Sequence, residues 1–122
     1  MMVLAIGAGL ACLGVLCGAF GAHALAASLS PQMLVTYHTA VEYHLLHAIA
    51  IVIVGALIHR HAGSTMLRVS GWLLITGVVL FSGSLYALVL GAGRSLAVLT
   101  PIGGLAFIAG WLVLMIAAIK MG

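Results

Sequence analysis

Residues 37–47 have the sequence YHTAVEYHLLH and hold Glu42, the only acidic residue of the chain, with three of its six histidines. The flanking residues are apolar over a length that predicts a membrane-spanning helix. An ionisable side chain inside a membrane is costly, and such side chains commonly mark functional sites. This stretch therefore decides the fold class and also supplies the first candidate site.

The composition agrees with a membrane protein. The chain is 66% hydrophobic and 4% charged, with a mean hydropathy of +1.41 over 122 residues, whereas soluble domains carry about 25% charged residues. Because each span needs about 20 apolar residues, we predict an all-α bundle of four transmembrane helices with short loops, forming one domain over residues 1–122. The predicted spans cover residues 2–23, 31–58, 69–90 and 101–119.

Local signals support these spans. Ser30-Pro31 and Thr100-Pro101 each combine a capping residue with a proline at the first helical position, which predicts two helix starts. Gly14 and Gly18 are four residues apart, a spacing that lets a second helix approach closely. Ala22-His23-Ala24 resembles a signal-peptide cleavage site, but no Lys or Arg precedes the apolar run, so we expect a mature helix.

The few basic residues are scattered, which favours a role in topology over nucleic-acid binding. Four spans place Arg60, Arg68 and Lys120 on one side of the membrane and Arg94 on the other. We therefore expect a plasma (inner) membrane protein with both termini in the cytoplasm. Cys12 and Cys17 lie about 140° apart on one helix and cannot pair with each other there.

The predicted spans and their orientation place polar side chains from all four helices in the same leaflet of the membrane. Two interpretations stay open: a pocket or funnel that opens to the outer face with Arg94 at its rim, or a hydrogen-bond network that holds the bundle together. The candidate residues for either are His23, His38, Glu42, Tyr43, His47, Ser82, Ser84, Tyr86, Arg94 and Thr100.

The second helix divides its polar residues between two faces. At about 100° per residue, His38 and Glu42 share one face, whereas Tyr37, His44 and His47 occupy nearly the opposite one. We expect neither face to contact lipid, so the helix is either central in the bundle or buried between protomers. We also expect Glu42 to be buried with a histidine or serine partner from the bundle.

This division argues against a metal site. The second helix alone cannot bring four ligands together, and the third and fourth spans contain no His, Cys, Asp or Glu. We therefore predict neither a bound metal nor a haem, and no other cofactor.

Several motifs together resemble a known family. GAFGAH at residues 18–23, EYHLLH at 42–47, FSGSLY at 81–86 and TPIGG at 100–104, followed by Gly110-Trp111, look like the domain of unknown function 423. That family includes bacterial inner-membrane proteins and the eukaryotic transmembrane protein 256. The resemblance implies a small four-span membrane protein without an established biochemistry, and it gives most weight to Glu42 with His23 and His47.

We consider three functions for these residues. Catalysis is disfavoured, since no nucleophile-and-base pair, carboxylate pair or phosphate-binding loop is present, and we predict that the protein is not an enzyme. Proton- or cation-linked binding or transport would use Glu42, His38 and His23. We favour a structural or interaction module with a buried Glu/His network, whose partner is lipid, a second copy of the chain or another membrane protein.

Overall fold

The computed structural model describes residues 1–121, except for the side chain of Arg94. This part of the chain contains four helical segments long and apolar enough to cross a membrane, and it contains no strand. The predicted all-α, four-span architecture is therefore confirmed. The first span is α1 (Met2–Phe20) with a π-helical turn (Gly21–Leu25), and the second is α2 (Pro31–Arg60). The third span combines α3 (Thr65–Gly77), a π-helical turn (Val78–Ser82) and α4 (Gly83–Val89). The fourth is α5 (Leu99–Met121), which follows a 3-10 turn (Arg94–Val98).

Serine caps set the start of two helices. The Ser30 side chain accepts a hydrogen bond from the backbone N–H of Met33 at 3.3 Å, with Pro31 at the first helical position, as the sequence predicted. Ser64 accepts in the same way from Leu67 at 3.3 Å. Because of this second cap, α3 begins at Thr65, one turn before the predicted span start at Val69.

Thr100 does not cap the fourth span, which corrects the expectation drawn from Thr100-Pro101. The backbone is already helical at Leu99, after the 3-10 turn, so Thr100 lies inside α5. Its hydroxyl instead bonds the side chain of Ser84 at 2.7 Å. Proline is tolerated in the first turn of a helix, where its missing N–H would have had no partner.

Glycines bring neighbouring helices together. A Cβ on Gly14 would lie 3.0 Å from Cγ of Leu45, so α1 approaches α2 at the predicted small-residue position. A Cβ on Gly110 would lie 2.8 Å from Leu74, which shows the same close approach between α5 and α3. α2 packs against α1 on one side and against the third span on another. The buried core between them includes Ile51, Val54, Leu74 and Phe107.

Candidate functional site

The inner face of α2 carries Tyr37, His44 and His47, all nearly fully buried. The sequence predicted that these three side chains share a face, and the structure confirms it. The Tyr37 hydroxyl donates a hydrogen bond to the backbone carbonyl of Cys17 at 2.6 Å, which joins α2 to α1. The Tyr37 ring also packs on Tyr86, with the ring centres 5.4 Å apart.

His44 connects α2 to α4. Its Nδ1 shares a hydrogen bond with the Tyr86 hydroxyl at 3.1 Å, and the two rings meet edge to face. Its Nε2 is buried without a hydrogen-bond partner among the described residues. His44 thus belongs to the hydrogen bonds inside the bundle, called the inner network below, although it is not among the candidate residues predicted from the sequence.

His47 connects α2 to α5 and uses both ring nitrogens. Nδ1 lies 2.7 Å from the backbone carbonyl of Tyr43, so this nitrogen carries the proton and donates it. Nε2 then accepts a hydrogen bond from the Trp111 indole N–H at 3.2 Å. The imidazole is stacked on Phe107, with the ring centres 3.5 Å apart. This arrangement fixes a neutral His47 with no nitrogen free for a ligand.

Serine and threonine hydroxyls connect the third span to α5. Ser84 donates to the carbonyl of Phe81 at 2.9 Å, so Thr100 is the donor in the Ser84–Thr100 bond. The hydroxyl of Ser70, a residue not predicted from the sequence as a candidate, donates to the carbonyl of Gly110 at 2.9 Å. Ser82 is fully buried and has no hydrogen-bond partner in the described part of the chain.

The outer face of α2 is different. Glu42 and His38 are exposed, and so is His23 at the end of the first span. The side chains of α2 that form hydrogen bonds within the described chain are Thr36, Tyr37, Thr39, His44 and His47. The expectation that Glu42 is buried in the bundle with a histidine or serine partner is therefore wrong for the single chain.

The packing of α2 explains why. α1 covers the side of α2 that carries Val41 and Leu45, where Gly18 and Gly14 approach. The third span and α5 cover the side that carries His44 and His47. Glu42 is about 100° from Val41 and about 140° from His47 around the axis, so it falls in the sector that neither group of helices reaches.

The remaining candidates divide in the same way. Tyr43 is 40% exposed, and its ring packs on Phe81 with the ring centres 4.6 Å apart. Tyr86, Ser84 and Thr100 belong to the inner network. Arg94, predicted at the rim of the site, lies outside the residues whose side chains the structure describes. The structure thus places four of the ten candidates, His47, Ser84, Tyr86 and Thr100, in hydrogen bonds inside the bundle and leaves Glu42, His38 and His23 on its surface.

Two open grooves run along the surface, and both are mainly apolar. One, of about 340 Å³, separates α1 from α4 and is lined by Leu16, Cys17, Phe20, Tyr37, Tyr86 and Leu90. The other, of about 480 Å³, borders α2 and α5 and is lined by Tyr43, His47, Phe81, Gly104, Phe107, Ile108, Trp111 and Leu112. Glu42 and His38 line neither groove. The described residues hold no cluster of three His, Cys, Asp or Glu side chains that suits a metal ion.

Comparisons with known proteins agree with the resemblance drawn from the motifs. The model of a family described as protein of unknown function (DUF423) matches residues 17–104. The UPF0382 membrane protein YwdK of Bacillus subtilis is 42% identical over 115 residues, which cover 94% of each chain. The UPF0382 membrane protein SH2409 of Staphylococcus haemolyticus is 46% identical over 117 residues, covering 88% of this chain and 93% of that protein. No solved structure matches the chain.

Proposed function

Since this chain belongs to the DUF423 family of membrane proteins of unknown function, we propose from its geometry that it is a membrane-embedded interaction module without catalytic activity. The hydrogen-bonded bundle is the scaffold, and the outer face of α2 around Glu42 binds another membrane protein. We further propose that it resides in the plasma (inner) membrane with both termini in the cytoplasm, because Arg60, Arg68 and Lys120 share one side.

One observation carries this proposal: Glu42, the only acidic residue of the chain, is exposed on the outside of the helix bundle, at a level that corresponds to the membrane interior. Glu42 lies eleven residues after Pro31 on a 30-residue helix, about 16 Å along an axis of about 45 Å. A hydrocarbon core of about 30 Å centred on α2 places Glu42 about 9 Å inside it. An acidic residue exposed to lipid costs up to about 3 kcal/mol near the centre of a helix, and a protein partner that donates a hydrogen bond removes much of that cost.

The inner polar groups support a structural role for the scaffold. His47 and Ser84 each use their polar atoms in one hydrogen bond within their own span and one to α5, so these groups are not available to a substrate. The alternative of a proton- or cation-linked site at Glu42 has less support, because neither groove leads to that carboxylate. Binding to a partner protein accounts for the exposed position of Glu42.

Photo-crosslinking in living cells tests the interaction. A photoreactive amino acid is placed at Ile49, which is 56% exposed on the face of Glu42, and in a separate variant at Leu105 of α5, which is 65% exposed. We expect discrete protein adducts from position 49 and only lipid adducts from position 105. Protein adducts from neither position, or the same adducts from both, would overturn the proposal.

A further inference from the structure

The exposed side chains of α2 form a continuous line, which we call the Glu42 stripe. Its members recur every three or four residues, the spacing of one helix face. They are Val35, His38, Glu42, Leu46, Ile49 and Ile53, all exposed. The stripe thus runs along most of the membrane-spanning length of α2.

The stripe carries an acid and a base one turn apart. His38 and Glu42 are four residues apart, so their side chains are neighbours on the helix surface. In the described chain, however, they do not bond each other or any other side chain. Leu46, Ile49 and Ile53 continue the stripe as an apolar seam. The surface therefore offers one hydrogen-bond acceptor, one possible donor and apolar area for packing.

The exposed face of α5 provides a contrast. It presents large apolar side chains that suit contact with lipid: Ile102, Leu105, Ile108, Leu112, Met115, Ile116 and Ile119. Lipid tails can solvate such a face but cannot bond a carboxyl group or an imidazole. The polar pair on α2 therefore marks that face, and not α5, as the one that a protein covers.

A second copy of the same stripe supplies what this pair lacks. In a two-fold interface, residue i of one copy contacts residue j of the other, and residue j contacts residue i in return. Copies inserted in the same direction have parallel α2 helices, about 8–10 Å apart when packed. In such a parallel pair each residue lies level with its counterpart, and His38 lies about 6 Å along the axis from Glu42. Each glutamate therefore reaches the histidine of the other copy diagonally across the seam.

We propose that the chain forms a parallel two-fold dimer through the Glu42 stripe, in which His38 of each copy bonds Glu42 of the other. This inference rests on the proposed interaction function and names its partner. The two reciprocal bonds satisfy both exposed polar groups at once. Leu46, Ile49 and Ile53 pack below them and exclude lipid from the seam.

Disulfide cross-linking in native membranes tests the dimer. Cys12 and Cys17 are first replaced by alanine, and single cysteines are then introduced as Ile49→Cys, Ile53→Cys and, as the control on α5, Leu105→Cys. We expect oxidation to give a covalent dimer from positions 49 and 53 with at least tenfold higher yield than from position 105. Equal yields at the three positions would overturn the dimer.

The polar pair is tested in the Ile53→Cys background. Glu42→Leu and His38→Leu should each lower the dimer yield at least fivefold, and the exchange of both residues, His38→Glu with Glu42→His, should restore it. The melting temperature of each purified variant checks the fold, and we expect Glu42→Leu to keep it, since Glu42 has no partner inside the described chain. An undiminished yield in Glu42→Leu, its unfolding, or a failed rescue would each overturn the assignment.

The two proposals fail in different ways. If positions 49 and 53 give no homodimer while the photoreactive group at Ile49 still captures a different protein, the dimer is wrong and the interaction function stands. If neither experiment captures a protein, both proposals are wrong.

Discussion

His44 and Glu42 are two residues apart on α2, but about 160° separates them around the helix axis. His44 is therefore buried with its Nδ1 bonded to Tyr86, whereas the carboxylate of Glu42 projects from the outer surface. The same helix thus holds the bundle together on one side and presents an unsatisfied acid on the other. The proposed scaffold and its interaction face both follow from this division.

The first prediction concerns the bond between His44 and Tyr86. Tyr86→Phe keeps the ring but removes the hydroxyl, which leaves Nδ1 of the buried His44 without its hydrogen-bond partner. We expect the free energy of unfolding to fall by about 1–3 kcal/mol. Tyr43→Phe is the matched control, because the Tyr43 ring packs on Phe81 and its hydroxyl makes no hydrogen bond in the described structure. Thermal unfolding in detergent measures both, and equal losses would contradict the role of the His44–Tyr86 bond.

The second prediction concerns the indole of Trp111. Trp111→Phe removes the donor to Nε2 of His47 and should lower the free energy of unfolding by about 1 kcal/mol, the usual net value of one hydrogen bond. Trp72→Phe provides the control, since Trp72 is 44% exposed, close to the 43% of Trp111, and has no hydrogen-bond partner in the described chain. Urea or thermal unfolding compares the two variants. A larger loss in Trp72→Phe would count against the link between α2 and α5.

The third prediction tests the close approach of α1 and α2. A Cβ on Gly55 would lie 2.5 Å from the backbone nitrogen of Leu4, a contact that a side-chain rotation cannot relieve. Gly55→Ala should therefore destabilise the bundle by about 1–3 kcal/mol, as overpacking does in other cores. Gly9→Ala is the control, because its Cβ would meet nothing within 4 Å, and alanine favours a helix. Should Gly55→Ala be as stable as Gly9→Ala, the helices are farther apart than described.

The fourth prediction concerns the orientation in the membrane. A reporter enzyme that is active only outside the cytoplasm, fused to the C-terminus, should be inactive, and a cytoplasmic reporter at the same position should be active. The reason is the positive charge of Arg60, Arg68 and Lys120 on the side of both termini. The opposite pattern of activities would reverse the proposed topology.

The sequence was sufficient for the number of helices and for the two faces of α2. Hydropathy determines the spans. The helical rotation of about 100° per residue places Tyr37, His44 and His47 on a different face from Glu42, whichever helices pack nearby. It was not sufficient for the exposure of Glu42, because that depends on which sectors of α2 the other helices cover. A cost of burial indicates only that Glu42 needs a partner; it does not place that partner in the same chain.

The inner network was harder to predict for a related reason. The bond between His47 and Trp111 joins residues 64 positions apart, and nothing in the local pattern pairs them. Thr100 shows how tertiary packing overrides a local signal. Its position before Pro101 predicts a helix cap, but its hydroxyl bonds Ser84 and not the backbone at the start of the helix. The sequence therefore located most of the polar residues but not the pairs that they form.

The most direct test of the central claim, that the Glu42 face mediates association, is a reversible measurement in lipid. Wild type and Glu42→Leu, each labelled at a C-terminal tag, are reconstituted in vesicles, and single-molecule photobleaching counts the copies per complex as the lipid-to-protein ratio rises. We predict that wild type remains mostly dimeric over at least a tenfold dilution at which Glu42→Leu is monomeric. Equal dissociation of the two proteins across the dilution series would contradict the claim.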